Sequence, residues 1–272
     1  MSISLYEANE TRTYLKLFEA GAVCGWLIDA LENYAVASAL AATPSSILDL
    51  ACGIGSFCWR ISSLGCSDVL GIDSSSTQIE ACSRVEGELR TPPRFEMRDA
   101  SHLNDDASLA ERFDLVNASW LYDTAKDEPT LLAMARAAFY CLKPRGHHLG
   151  IDLSFNIRAS SEAEWRDFGI ALMVGRVAGV RPMNGEVIKA RVGIGPQTVL
   201  GPKDYLETDV AFYSEATYRR VFAEAGFTEV RFIPPESWPL EQLGLHGERI
   251  ARWHRYIATN PEMVGFSALK PA

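Results

Sequence analysis

The chain has no apolar run approaching the roughly 20 residues that a membrane-spanning helix requires. Its first residues, Met1 to Lys16, lack the basic start and apolar stretch of a secretory signal. These two absences lead to the expectation of a cytoplasmic protein with no membrane partner. Basic charge is also scarce: 26 Lys and Arg stand against 35 Asp and Glu, a net charge of −9. Such a surface repels phosphate backbones and anionic lipid, so general nucleic-acid binding is not expected. Among Cys24, Cys52, Cys58, Cys66, Cys82 and Cys141, no pair is spaced C-x-x-C. They read as reduced thiols buried as small apolar groups rather than as a metal or redox site. There is no internal repeat and no low-complexity tail.

What the chain has in quantity is alternation. Its 272 residues are 47% hydrophobic and 22% charged, enough for a sizeable core. The stretch Ser46 to Phe57 reads as a buried strand (Ile47, Leu48, Leu50), a turn at Gly53 and Gly55, and a helix beginning near Ser56. Helix 56–64, strand 67–72 and helix 75–89 follow, the last entered through Ser74-Ser75-Ser76-Thr77 and stopped by Pro92-Pro93. Strand 94–98, a short helix at 103–111, strand 113–118, helix 128–142 and strand 147–153 continue the rhythm. Strands separated by helices in this way predict an α/β, Rossmann-like, doubly wound sheet.

Two helices, 5–21 and 24–41, precede that core and make an N-terminal helical arm over 1–43. After the core at 44–153 the pattern breaks. Residues 154–210 read as an inserted helix/β lid. Its parts are one long amphipathic helix from Glu162 to Val180, a turn at Asn184-Gly185, and β runs at 187–194 and 206–212 split by a Gly/Pro loop (Gly195, Pro196, Gly201, Pro202). Residues 211–272 return to the core with helix 214–225, strand 227–233, helix 246–259 and strand 262–269. The whole is expected to be one domain.

In a parallel sheet the strand ends face one crevice, where ligands bind. Asp49 opens the glycine turn, Asp73 lies 24 residues on, and Asp99, followed by Ala100, lies 26 beyond that. Ala118-Ser119-Trp120 ends the fourth strand. A carboxylate at the end of strand two suits the two hydroxyls of a ribose. A nicotinamide dinucleotide would ask for G-x-G-x-x-G, with its pyrophosphate on the helix N-terminus. Here no glycine stands two before Gly53, where Ala51 sits, none stands at 58, where Cys58 sits, and the Asp49 carboxylate would repel a pyrophosphate. A cationic sulfonium with an amino-acid tail, S-adenosylmethionine, fits the acidic turn better.

These segments resemble the class I S-adenosylmethionine-dependent methyltransferases. Ile47-Leu48-Asp49-Leu50-Ala51-Cys52-Gly53-Ile54-Gly55 resembles their first motif, and Gly71-Ile72-Asp73-Ser74 their ribose-binding motif. Arg98-Asp99-Ala100 resembles the adenine-side motif, and Leu142-Lys143-Pro144-Arg145-Gly146 the turn before strand five, with Arg145 in place of a glycine. The resemblance implies a mixed seven-stranded sheet. It also implies cofactor contacts from Tyr14, Asp49, Ala51, Gly53, Gly55, Asp73, Ser74, Asp99, Ala100, Ala118 and Trp120. A looser similarity links the chain to toxoflavin-synthase-like methyltransferases. It rests on the Tyr6 to Phe18 arm, Phe212 to Tyr218, Ala225-Gly226-Phe227, and the ending from Trp253 through Pro261 to Ala268. That similarity implies a small, heteroaromatic or natural-product acceptor methylated on nitrogen, with carbon and oxygen as alternatives.

Transfer from a sulfonium needs positioning more than it needs catalytic side chains. Asp152, at the end of strand five, is the candidate base facing substrate, and Tyr213 a substrate hydrogen-bonding group. Tyr122 and Trp120 follow strand four, where an aromatic face would meet the sulfonium. His147 and His148 sit at the far end of strand five and read as structural. Asp105-Asp106 reads as a solvated helix start, and no metal is inferred. The lid helix either covers substrate or forms a homo-oligomer interface through Leu172, Met173, Val174, Val177 and Val180; the pattern fits both. Competing functions are a protein methyltransferase, a non-catalytic cofactor-binding scaffold, and a NAD-dependent oxidoreductase.

Overall fold

A computed structural model describes residues 24–82, 89–193, 205–259 and 261–272. The expected helix 5–21, with Tyr6 and Tyr14, and the Gly/Pro loop of the lid lie outside these residues. In chain order the elements are α1 (Gly25–Ala41), β1 (Ser46–Leu50), α2 (Ser56–Ser63), β2 (Asp68–Asp73), α3 (Ser76–Cys82), β3 (Arg94–Met97), β4 (Phe113–Asn117), α4 (Glu128–Cys141) and β5 (Leu142–Leu153). Then come α5 (Glu162–Phe168), β6 (Ile170–Leu172), β7 (Glu186–Gly193), β8 (Tyr205–Phe212), α6 (Glu215–Ala225), β9 (Thr228–Ile233), α7 (Leu240–Leu243), α8 (Glu248–Thr259) and β10 (Met263–Leu269).

Seven strands form one sheet in the order β3-β2-β1-β4-β5-β10-β9. β1 pairs in parallel with β2 and β4, which pair in parallel with β3 and β5. β10 enters antiparallel between β5 and β9, so the sheet is mixed. β1 is buried along its whole length, as its unbroken apolar run requires of a central strand covered on both faces. On one face Leu131, Ala135 and Ala138 of α4 and Val221 and Phe222 of α6 pack with the strands; on the other Leu27 and Leu31 of α1, Ile61 of α2 and Trp253 of α8 do so. No helix among the described residues is long and apolar enough to cross a membrane.

The lid departs from its sequence reading. The helix expected from Glu162 to Val180 stops at Phe168. Ser161 and Glu164 cap it reciprocally at the start, and Gly169 ends it in the left-handed region at φ 76°. Ile170 to Leu172 then become a strand paired with β7, and Gly175 and Gly179 turn the chain at φ 85° and 87°. Apolar residues at 165, 168 and 172 satisfy a helical period, but the same residues serve a short helix followed by a strand. The apolar helix face proposed as an interface between copies therefore does not form. Leu172 and Met173 are buried at 1% and 2% exposure, whereas Val177 is 78% exposed.

Smaller shifts have local causes. The short helix expected at 103–111 is a 3-10 turn at Ala100–Asp105, entered where the Asp99 side chain accepts the Ser101 N–H. β5 starts at Leu142 rather than 147. Helix α3 runs Ser76–Cys82, and residues 83–88, the rest of the expected helix, lie outside the described residues.

Candidate active site

The carboxyl ends of β1, β2, β4 and β5 open into one cavity of about 280 Å³. α1 closes one side with Leu27, Ile28, Leu31 and Glu32. The sheet β6-β7-β8 closes another with Ile170, Leu172, Ala190, Val192, Leu206, Thr208 and Val210. The period of two explains this cover: Ala190 and Thr208, paired across the ladder, line the cavity, while Lys189 and Arg191 alternate with them and ion-pair with Asp209 and Glu207. The Cys24 thiol donates to the Gly193 carbonyl at 2.8 Å, tying α1 to the end of β7.

The turn after β1 is built from left-handed backbone at Ala51 (φ 57°), Gly53 (φ 55°) and Gly55 (φ 81°). A Cβ on Gly55 would sit 2.7 Å from the Phe95 ring, so the turn admits glycine there on two counts. Asp73 braces the turn: its Oδ2 accepts from the Gly53 N–H at 3.0 Å and its Oδ1 from the Ser75 N–H at 2.9 Å. Burial raises the Asp73 pKa while these backbone donors pull it down. Asp49 accepts from Asn117 Nδ2 at 2.6 Å and from the Cys58 thiol at 3.3 Å. Its pKa is pushed up to about 7, mainly by burial and further by the charges of Asp73 and Glu32. Asp99 Oδ1 accepts from the Ser101 N–H at 2.8 Å and its hydroxyl at 2.6 Å.

Eight residues proposed from sequence line the one cavity: Asp49, Ala51, Gly53, Asp73, Ser74, Asp99, Ala100 and Trp120. Gly55 and Ala118 are not among the lining residues. Tyr14 lies outside the described residues. Trp120 itself is held at φ 61° and donates its N–H to the Ile151 carbonyl at 2.8 Å. Backbone in that region costs a non-glycine residue on the order of 1 kcal/mol or more, and Ala51 and Trp120 both bear it at the cavity wall.

The three residues proposed as catalytic are placed differently. Ile151 and Leu153 face the cavity, so strand alternation turns Asp152 to the opposite face, 2% exposed. Tyr122 is fully buried among Phe222, Tyr218 and Phe266. His148 Nδ1 meets the Val116 carbonyl at 3.0 Å, and a carbonyl only accepts, so Nδ1 carries the proton. His148 Nε2 then accepts from the Tyr122 hydroxyl at 2.7 Å. Burial holds the His148 pKa down to about 4, in keeping with this neutral, structural histidine. Tyr213 donates its hydroxyl to the Ala125 carbonyl at 2.8 Å and does not reach the cavity. Both tyrosine hydroxyls are committed to protein partners.

Three polar residues of the wall were missed in sequence. Glu32 reaches in from α1, accepts from Ser56 at 2.7 Å and pairs with Arg60 at 3.0 Å. Gln78 of α3 is 1% exposed, and its Oε1 has no partner. Asp123 lies in a 3-10 turn at Tyr122–Thr124. Glu32 and Gln78 carry no local signal; only packing brings their helices to the crevice. Asp123 had one, since it follows Trp120 in the segment after β4. Altogether Glu32, Asp49, Asp73, Asp99 and Asp123 stand on the described wall against one basic side chain, Arg98. Arg98 is itself paired with Glu96 and Asp106. An acidic cavity of this kind favours cationic ligands and disfavours phosphates. Among the described residues no group of three His, Cys, Asp or Glu side chains is placed to hold a metal ion.

A family model described as a methyltransferase domain matches residues 47–146, from the first residues of β1 to the beginning of β5. Residues 47–146 carry a methyltransferase domain. Solved structures agree in fold. The CcbJ methyltransferase from Streptomyces caelestis is similar with a TM-score of 0.58 and 16% identity, over 90% of each chain. A S-adenosylmethionine-dependent methyltransferase from Clostridium acetobutylicum gives a TM-score of 0.56 at 12% identity, over 89% of this chain and 92% of that one. An amino pentose methyltransferase from Micromonospora echinaspora, solved with S-adenosylmethionine bound, gives 0.54 at 15% identity over 99% and 100%. No curated protein matches the chain. The match to the family model covers a little over a third of the chain and stops short of β6, β7 and β8.

Proposed function

We propose that the protein transfers a methyl group from S-adenosylmethionine to a small-molecule acceptor, on nitrogen in preference to carbon or oxygen. The observation that carries this reading is Asp73, buried at the end of β2 and braced to the glycine turn of an acidic, covered cavity. Each Asp73 oxygen that accepts one backbone N–H keeps a lone pair for a ribose hydroxyl. Asp49 and Glu32 offer negative charge to the amino-acid ammonium, and Asp99, Ala100 and Ser74 border the adenine. Gly53 gives close backbone approach, with Ala51 and Gly55 shaping the same turn and Ala118 backing it. Trp120 presents its ring to the sulfonium. Tyr14 is assigned to a cofactor contact from the N-terminal arm.

The cofactor supplies an activated methyl group on a neutral leaving group. The chain then has to hold the acceptor in line and keep water out, and orientation of that kind is worth on the order of 7–11 kcal/mol. The sheet β6-β7-β8 supplies the apolar roof for this task. Tyr213 and Tyr122 act by bracing the segment after β4, and Asp152 acts from behind it. No metal is assigned a part. The acceptor class is the natural-product type suggested by the toxoflavin-synthase-like similarity. Calorimetric titration with S-adenosylhomocysteine and with NAD tests the reading. Micromolar binding of S-adenosylhomocysteine and none of NAD is expected, and the reverse result sinks it.

A further inference from the structure

The two ends of the cavity treat their carboxyl groups differently. At the turn end Asp49, Asp73 and Asp99 each accept hydrogen bonds from the protein. Beyond β4, Asp123 stands in the wall at 5% exposure, and its Oδ1 has no hydrogen-bond partner. Leaving a buried polar atom unpaired destabilises the fold, and more so if the group is charged. The fold nevertheless fixes the segment that carries it. Tyr122 is tied to His148, Tyr213 to the Ala125 carbonyl, and the Thr124 hydroxyl to the Leu121 carbonyl at 2.6 Å. The turn is braced, and it sets the Asp123 carboxyl group in the cavity wall with Oδ1, enclosed by protein, left without a donor, so the group is suited to receive a donor that enters the cavity.

Asp152 stands behind Asp123. Its Oδ1 accepts from the Leu153 N–H at 2.7 Å. The Tyr218 hydroxyl is the neighbour of its carboxyl, yet no hydrogen bond of ordinary geometry closes to Oδ2. Burial raises both carboxyl pKa values, Asp123 to about 7, and the charge of Asp123 raises Asp152 further. Near neutral pH such a pair retains a proton and carries less than its full charge. It gains most from a ligand that brings a positive charge.

We infer that the Asp123 carboxylate receives the ammonium group of the acceptor, so that the methyl acceptor is a basic amine, and that this carboxylate takes one proton from it. The N–H bond breaks, an O–H bond forms on the carboxylate, and the electron pair stays on nitrogen as the lone pair that methylation requires. A neutral hydroxyl or ring acceptor offers the acidic wall no such compensation. Leu121, Met134, Leu153 and Leu172 line the same cavity and suit the hydrocarbon body of the amine. The inference rests on the methyltransferase reading above and narrows its acceptor to amines that are cations in solution.

The test uses the full chain saturated with S-adenosylhomocysteine, titrated with benzylamine and with benzyl alcohol at pH 7.5. Benzylamine is expected to bind at least tenfold tighter. In Asp123→Asn the preference is expected to fall to within twofold, with S-adenosylhomocysteine affinity within threefold of the parent. Failure of benzylamine to outbind benzyl alcohol in the parent protein overturns the inference, and this arm needs no variant to fold. An undiminished preference in a folded Asp123→Asn also overturns it. Absence of S-adenosylhomocysteine binding in the parent protein overturns the cofactor reading instead.

Discussion

The two ends of the cavity share one sheet but were made in different ways. At the turn end, Asp49, Asp73 and Asp99 come from consecutive strand–helix units and are answered by backbone or side-chain donors within the same units or the next strand. At the lid end Asp123 lines the wall, and Asp152 and Glu262 lie outside the lining; all three are buried with an oxygen each left unpaired. Glu262 immediately precedes β10 and accepts from the lid residue Ser160 at 3.4 Å. Satisfied carboxyls define a rigid site for a ligand of fixed shape. Unsatisfied ones hold free energy that an incoming donor or a proton can release. The first end suits a universal cofactor, the second an acceptor that differs from one enzyme to the next.

The largest expected effect tests the satisfied end. Asp73→Ala is expected to weaken S-adenosylhomocysteine binding at least 100-fold, about 2.8 kcal/mol, as read by calorimetry. Unchanged affinity would break the contrast at its firmest point. Gly55→Val places a branched side chain at φ 81° against the Phe95 ring. It is expected to cost about 2 kcal/mol and to lower Tm by roughly 4–8 °C, with loss of cofactor binding.

A pH series tests the unsatisfied end. The Glu262 pKa is raised by burial to about 8 in the folded chain, from an ordinary 4.5. Between those values the folded state holds more protons than the unfolded one, so stability is full below about pH 4.5 and falls as pH rises toward 8. Asp123 and Asp49, both raised to about 7, act in the same direction. Ligand-free protein is therefore expected to melt lower at pH 8.5 than at pH 5.5. Glu262→Gln is expected to recover on the order of 1–2 kcal/mol of that loss. An identical pH slope in this variant would show that Glu262 is not ionising. The smallest effect belongs to the outer face of the lid: Lys189→Ala removes exposed ion pairs with Asp209 and Glu207. It is expected to change stability by less than about 0.5 kcal/mol and leave cofactor affinity unchanged. A large effect there would mean that the outer ladder, rather than the apolar roof, holds the lid in place.

Legibility followed the same division. The strands of the main sheet and the motif carboxyls could be read because each βα unit encodes itself within some 25 residues: apolar run, glycine turn, helix. The lid was misread where one apolar pattern served both a helix and a strand, although Gly169, Gly175 and Gly179 already marked the breaks. Asp152 was assigned to the cavity by its position at a strand end. The pleat reversed that assignment, because Ile151 and Leu153 took the cavity face. Tyr122 and Tyr213 look free in sequence. Their hydroxyl partners, His148 and Ala125, are 26 and 88 residues away.

By itself the sequence determined the alternation of strands and helices, the glycine turn with its carboxylates, and hence the class of cofactor site, because those signals are local. Tertiary structure alone decided which side chains close the cavity. Glu32 arrives on a helix that precedes the sheet, the roof comes from a sheet inserted after β5, and Asp123 meets Asp152 only when β4 and β5 lie side by side. Those contacts join residues distant in sequence, and burial then sets their charge, a property no segment holds until the chain has folded around it.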